Sequence, residues 1–216
     1  MKTVNYLRPL PAIFLLTFGI ARAEPAPGQL KDLPAAVQKT IATQSPQGTV
    51  VSIEPKTMEG AMRYKVGVHD HGQKRLLVIE AAGTLLVTKT EVASDALPPP
   101  VRQTAEAQSQ GAKVEKNSQV NRASKIYYEV EMQVSGHKKE ITIDPSGELT
   151  KVEEVVPIDT VPAGVKSAID KAASRGKLLK VKTIISHGKL VAYEAAVDVG
   201  GLKTEFKLTP SGQPLK

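Results

Sequence analysis

Tyr128-Glu129-Val130-Glu131-Met132-Gln133-Val134 alternates apolar and polar side chains without a break. Successive side chains of a strand point to opposite faces, so Tyr128, Val130, Met132 and Val134 share one face and Glu129, Glu131 and Gln133 the other. That is the pattern of a half-buried antiparallel strand. It returns at Tyr193, Ala195 and Val197 against Glu194 and Asp198. Tyr64 lies sixty-four residues before Tyr128, and Tyr193 sixty-five after it. In a chain with five Tyr among 216 residues, such spacing marks a period. Gly83, Gly147 and Gly212 keep the same step, so the third copy needs one inserted residue.

Upstream of each strand region the apolar period changes to that of a helix. Leu33-Pro34 with Val37 and Ile41, Leu97-Pro98 with Val101 and Ala105, and Val161-Pro162 with Val165 and Ile169 place apolar residues at i, i+4 and i+8. Proline at the front is tolerated because the first-turn N–H has no partner within the helix. Turn signals separate the strands: His71-Gly72, Ser135-Gly136 and Gly200-Gly201, then Ala82-Gly83, Asp144-Pro145-Ser146-Gly147 and Thr209-Pro210-Ser211-Gly212. The expected fold class is α+β, with three tandem repeats, each one helix packed on a four-stranded antiparallel meander. The expected boundaries are a signal peptide over 1–23, a linker over 24–32, and repeats over 33–96, 97–160 and 161–216. After Gly212 only Gln213, Pro214, Leu215 and Lys216 remain, so the last copy lacks most of its fourth strand. The third sheet then either ends one strand early, which is the expectation, or leaves an edge that a neighbour or partner completes.

Lys2 and Arg8, an apolar run from Ala12 to Ile20, and Ala21-Arg22-Ala23 read as a secretory signal with a small-x-small cleavage site, an uncleaved N-terminal anchor being the alternative. The run is shorter than the roughly 20 residues a membrane-spanning helix needs, so no span is expected after cleavage. Cleavage removes Lys2, Arg8 and Arg22 and no acid, taking the formal charge from +7 to +4. The remaining charge is uneven: 7 basic and 6 acidic residues over 33–96, 8 and 10 over 97–160, 10 and 4 over 161–216. Lys166, Lys171, Arg175, Lys177, Lys180 and Lys182 crowd the third copy. With aromatics scarce and no nucleic-acid motif alongside, they read as a solvated face, and no nucleic-acid partner is expected. An exported chain without Cys gains nothing from disulfides, so its stability rests on packing. The periplasm or the exterior is the expected location.

His69-Asp70-His71 is the one compact group resembling metal ligands in the sequence, but two His fall short of the three protein ligands a catalytic zinc site uses, so no metal or cofactor is assigned. P-loop, dinucleotide-binding, HExxH and G-x-S-x-G patterns are missing. Glu129, Glu131, Glu140, Glu148, Glu153 and Glu154 read as a solvated strand face. One position distinguishes the copies. The third strand reads Leu76-Leu77-Val78-Ile79, then Glu140-Ile141-Thr142-Ile143, then Glu205-Phe206-Lys207-Leu208. Its outward pair is apolar only in the first copy, as Leu76 and Val78. At about 25 cal/mol per Å² of apolar surface, leaving both in water forgoes a few kcal/mol, so either a neighbouring repeat or residues 24–32 cover them, or a partner protein does. Leu76 and Val78, with Arg63 and Lys65, are the expected partner-binding residues.

The repeated L-P-x-x-V-x-x-x-I segment, the Tyr-led strand and the Asp144-Pro145-Ser146-Gly147 hairpin resemble the PepSY-like family over nearly all of residues 33–216. The chain departs from it at Ala81-Ala82-Gly83 and Thr209-Pro210-Ser211-Gly212, where the turn aspartate is lacking, and in the missing last strand. That family is similar in fold to the beta-lactamase inhibitory protein, and the related PepSY domain occurs in propeptides of secreted metallopeptidases. The resemblance implies an exported inhibitory or partner-binding module and supplies no catalytic residue. The expected function is therefore non-enzymatic protein binding, as an inhibitor or regulator of a peptidase or other envelope hydrolase. A periplasmic metal- or small-ligand-binding protein, and an enzyme of unrecognised type, are the alternatives.

Overall fold

The computed structural model describes residues 29–215, so the expected signal peptide and the first part of the linker lie outside the described residues. Three ten-residue helices, α1 (Ala35–Gln44), α2 (Pro99–Gln108) and α3 (Ala163–Ala172), punctuate a long meander. Its strands are β1 (Thr49–Met58), β2 (Ala61–Asp70), β3 (Gln73–Glu80), β4 (Leu85–Val92), β5 (Lys113–Arg122), β6 (Lys125–Val134), β7 (His137–Ile143), β8 (Leu149–Val156), β9 (Lys177–Ser186), β10 (Lys189–Val199), β11 (Leu202–Leu208) and the short β12 (Pro214–Leu215).

The strands do not form three separate helix-on-meander units, which corrects the expected fold class. Each strand pairs with the next through the whole chain, including β4 with β5 and β8 with β9 across the expected boundaries. β1 then pairs with β11 to close an eleven-stranded barrel. The physical reason is the edge. A free four-stranded meander exposes two rows of unpaired backbone groups, and joining the meanders and closing the ring pairs those edges with one another. In an up-and-down run of eleven strands the first and last point the same way, so the closing pair is parallel, with Lys56, Thr57 and Met58 in register with Lys203, Thr204 and Glu205. The third sheet accordingly does not end on an open edge: β1 covers β11 over Lys203–Glu205, and Pro214 and Leu215 cover Leu208 and Lys207.

The helices lie outside the barrel wall. Leu33, Val37 and Ile41 pack on Ile53, Val66, Val68, Leu77 and Ile79. Leu97, Val101 and Ala105 pack on Val130, Met132, Ile141 and Ile143, and Val161, Val165 and Ile169 on Val181, Tyr193, Ala195 and Leu208. The apolar strand face is therefore the outer one, capped by a helix. Residues of the opposite face, among them Lys56, Ser118, Val120, Glu129, Ile184, Ala192 and Glu205, are buried with no helix upon them, because they point into the lumen.

Glycine is required where a hairpin meets a helix start. Gly147 has φ +93°, and a Cβ there would lie 2.9 Å from the Pro100 carbonyl oxygen. Thr104 Oγ1 donates to the Gly147 carbonyl at 2.7 Å, as Thr40 Oγ1 does to that of Gly83 at 2.6 Å, pinning each turn to its helix. Asp144 Oδ1 accepts from the Ser146 and Glu148 amides at 2.9 and 3.0 Å, shaping the same hairpin. Gly147→Ala is expected to lose at least about 1–3 kcal/mol of folding stability through the left-handed backbone alone, read by urea denaturation.

Candidate functional site

Eleven alternating strands give the barrel two distinct ends. One carries the His71-Gly72, Ser135-Gly136 and Gly200-Gly201 hairpins and the helix-to-strand connections; the other carries the remaining hairpins. Near the first end each of β1, β5 and β9 has a bulge whose extra residue is Val51, Glu115 or Leu179. A bulge inserts a residue and re-aims its neighbours, which suits a barrel rim. Val51, Val114, Leu179 and Val199 stand exposed around this end. Ile126, Leu190 and Val191 are exposed near hairpins of the other.

Inside the first end lies a cavity of about 450 Å³. Lys74 and Lys138, both 67% exposed, stand where it opens. Lys65, Leu76, Lys89, Lys116, Glu131, Glu140, Glu153, Lys180 and Lys182 line its depth. On the inner strand faces seven lysines, Lys65, Lys74, Lys89, Lys116, Lys138, Lys180 and Lys182, stand with five carboxylates, while Arg75 and Lys139, on the outer face with Leu77 and Ile141, only border the cavity.

The polar face read as solvated is instead a buried ionic network. Closing the barrel turned that face inward. Lys89 on β4 reaches Glu129 and Glu131 on β6 at 2.6 and 2.9 Å and Glu140 on β7 at 3.1 Å. Lys116 adds a second contact to Glu131 at 2.9 Å, while Glu153 takes both Lys151 and Lys182 at 2.7 Å. Burial would raise the Glu131 carboxyl, but Lys89 and Lys116 hold it down to about 2; burial likewise opposes ionisation of Glu153, and Lys151 and Lys182 hold it at about 2. Glu140 is pushed up by burial and by the Glu129 charge, against the pull of Lys89. Glu194 is raised mainly by burial, with Lys182 pulling the other way. Burial would lower Lys89 and Lys182, yet the carboxylates around them hold both above the ordinary lysine value. Of the alternately read carboxylates, Glu148 is exposed beside His187 at 3.0 Å.

The four expected partner-binding residues all sit on the inner wall, since Lys65 is in register with Val78 and Arg63 with Glu80. Lys65 and Leu76 line the cavity and Val78 is buried. Arg63 belongs toward the other end, beside Glu59 at 3.4 Å and Glu80 at 4.0 Å. The wall itself shields Leu76 and Val78 from bulk water. At the His69-Asp70-His71 turn, Asp70 takes Arg75 at 2.9 Å and His71 Nδ1 at 2.7 Å, and His71 is exposed. Among the described residues no three His, Cys, Asp or Glu side chains gather as metal ligands.

Sequence reasoning missed Lys89, Lys180 and Lys182 as inner-wall residues. A signal was present in the uneven charge. The carboxylates of the main network sit on three adjacent strands, β6 to β8, with lysines on β4, β5 and β9 to either side. Opposite charges falling on neighbouring strands of one face indicate that the face meets itself across an enclosed space.

A family model described as "Putative beta-lactamase-inhibitor-like, PepSY-like" matches the chain over residues 28–87, 80–151 and 127–213. No curated protein matches it in sequence. Among solved structures, a DUF2874 family protein from Bacteroides uniformis is similar at 20% identity, covering 56% of this chain and 88% of that one, with a TM-score of 0.47. A BLIP-like protein from Bacteroides fragilis is similar at 19% identity, covering 56% and 86%, with a TM-score of 0.45. A Bacteroides eggerthii protein described as "putative periplasmic" is similar at 16% identity, covering 56% and 88%, with a TM-score of 0.48. No helix among the described residues is long and apolar enough to cross a membrane.

Proposed function

The chain belongs to the PepSY-like, beta-lactamase-inhibitor-like family, and from that premise we propose that it is an exported, non-catalytic binding module whose open barrel end receives an acidic segment of an envelope protein. The observation that carries this reading is the pairing of an apolar rim, Val51, Val114, Leu179 and Val199, with a cavity whose inward lysines outnumber its lining carboxylates seven to five. Apolar side chains at the rim supply desolvation on docking, and the lysines behind them steer an acidic partner by long-range attraction. An inhibitor of a peptidase or other envelope hydrolase would use such a mouth to hold an acidic loop beside its target's cleft. Leu76 and Lys65, on the cavity wall, would touch the tip of an inserted segment.

The test starts from the mature chain over residues 24–216, used to capture an envelope protein that is then purified and titrated back. A saturable one-to-one complex is expected, with an association rate that falls steeply as salt rises. Val114→Glu with Leu179→Glu should weaken it at least about tenfold, close to 1.4 kcal/mol, without lowering the melting temperature, because both side chains are already exposed. A complex indifferent to this double change and to salt would place the interface elsewhere.

A further inference from the structure

Most lumenal charges are matched, and two are not. Lys65 on β2 and Lys180 on β9 line the same cavity, yet neither makes an ion pair within 4 Å with the described residues. The reason is competition. Glu54, opposite Lys65 in the β1–β2 register, is taken by Lys203 at 2.9 Å. Glu205 is taken by Lys56, and Glu194 by Lys182 at 3.6 Å. The carboxylates that most offset the two lysines, Glu54, Glu194 and Glu205, therefore each already serve another cation.

We propose that Lys65 and Lys180 form the floor of a site for a small multivalent oxyanion, a phosphate or phosphate monoester, held within the barrel lumen. The site is built: it is walled by strands on both sides, it opens past Lys74 and Lys138, and its volume of about 450 Å³ admits a ligand of that size. Lys116 on β5 and Lys182 on β9 line the same cavity, each already paired with a carboxylate, Glu131 and Glu153, so the positive field at the site comes from several strands. Burial and the neighbouring charge of Lys56 depress Lys65, and burial and Lys182 depress Lys180, which also feels Lys65. An anion between them relieves both costs, which is the energetic reason for the site to fill. A multivalent anion is favoured over chloride because it answers two cations with one desolvation. The site shares Lys65 and the cavity with the protein-binding reading but needs no partner protein, so phosphate titration tests it separately from protein capture.

The experiment titrates inorganic phosphate, and separately glycerol 3-phosphate, into the mature chain by calorimetry at low ionic strength and neutral pH. Saturable one-site binding of at least one is expected, with thermal unfolding shifted upward relative to chloride at matched ionic strength. Tighter binding of the inorganic ion would identify the free anion as the ligand, and tighter binding of glycerol 3-phosphate an ester. Lys65→Met and Lys180→Met should each weaken binding at least about tenfold, and the double variant should abolish it. Both variants should melt no lower than the parent, because each removes a desolvated charge that has no counterion. Lys138→Met, at the opening, should change affinity by no more than raised salt does. Absence of saturable binding by either probe in the unsubstituted protein, or binding that survives the double variant, overturns the proposal.

Discussion

Lys89→Met is expected to destabilise the fold by about 3–5 kcal/mol at pH 8, since removing one partner of a buried ionic group strands the others. Here Glu140 loses its only ion pair among the described residues, Glu131 keeps Lys116 alone, and the almost wholly inaccessible Glu129 keeps only Arg122 at 3.9 Å. A loss of packing alone would cost the same at every pH, so the pH dependence separates the two accounts. In the parent protein Glu131 and Glu153 are held near 2, below the ordinary 4.5, so their contribution is complete above 4.5 and is lost as pH falls toward 2. Glu140 and Glu194 have the opposite sign: raised above 4.5, they favour the folded state when protonated, and that contribution is lost as pH rises through their folded values. Without Lys89 the Glu140 carboxyl should rise further, and Glu131, held by Lys116 alone, should rise from its value of about 2. The deficit of the variant should therefore shrink between pH 8 and pH 5, and Glu131→Gln with Glu140→Gln should restore much of it in the same background. Urea midpoints across that range measure both effects. A deficit that is constant with pH would show that Lys89 acts through its methylene stem instead.

What could be read in the sequence was local. Val37 and Ile41, Val101 and Ala105, and Val165 and Ile169 lie on helices and are buried, because an i, i+4 stripe has one way to hide. Tyr128, Val130, Met132 and Val134 lie on one strand face for the same kind of reason. The position of the turn at Gly147 was legible since only glycine accepts that backbone there. The family was legible too. Closure was not, because it is decided by which strand edges meet, and residues 58 and 205 are far apart in sequence and joined by backbone bonds that carry no side-chain signature. The missed closure accounts for the misreading of the candidate site. A polar strand face looks the same in sequence whether it meets water or the far wall of a barrel, so Glu129 and Glu131 read as solvated. Had the lysines of β9 been set beside the carboxylates of β8, the match of Lys182 to Glu153 would have pointed to a shared interior.

The barrel is expected to open first at its parallel seam, and Glu205→Gln should make that visible. The β1–β11 register extends only from Lys56 to Met58, far less than the antiparallel pairs on either side, so side chains must supplement the backbone. Three ion pairs cross or flank it: Lys56 with Glu205, Lys203 with Glu54 at 2.9 Å and Lys207 with Glu59 at 2.8 Å. Their worth is unequal. The last two are well exposed and contribute about 0–1 kcal/mol each, diminishing with salt. Lys56 and Glu205 are both buried, so breaking that pair costs about 3–5 kcal/mol, mostly from the ammonium left without a counterion. Glu205 also offsets the charge of Lys65 and Lys180, which makes its neutralisation harder to absorb. Glu205→Gln should accelerate hydrogen exchange at residues 56–58 and 203–205 before it does so elsewhere, with little dependence on salt. Replacing the pair together, Lys56→Met with Glu205→Leu, should recover most of the stability and seam protection, because two apolar side chains need no counterion. If exchange instead rose uniformly around the barrel, the seam would be no weaker than the other junctions, and closure would rest on the helix-covered outer packing rather than on this pair.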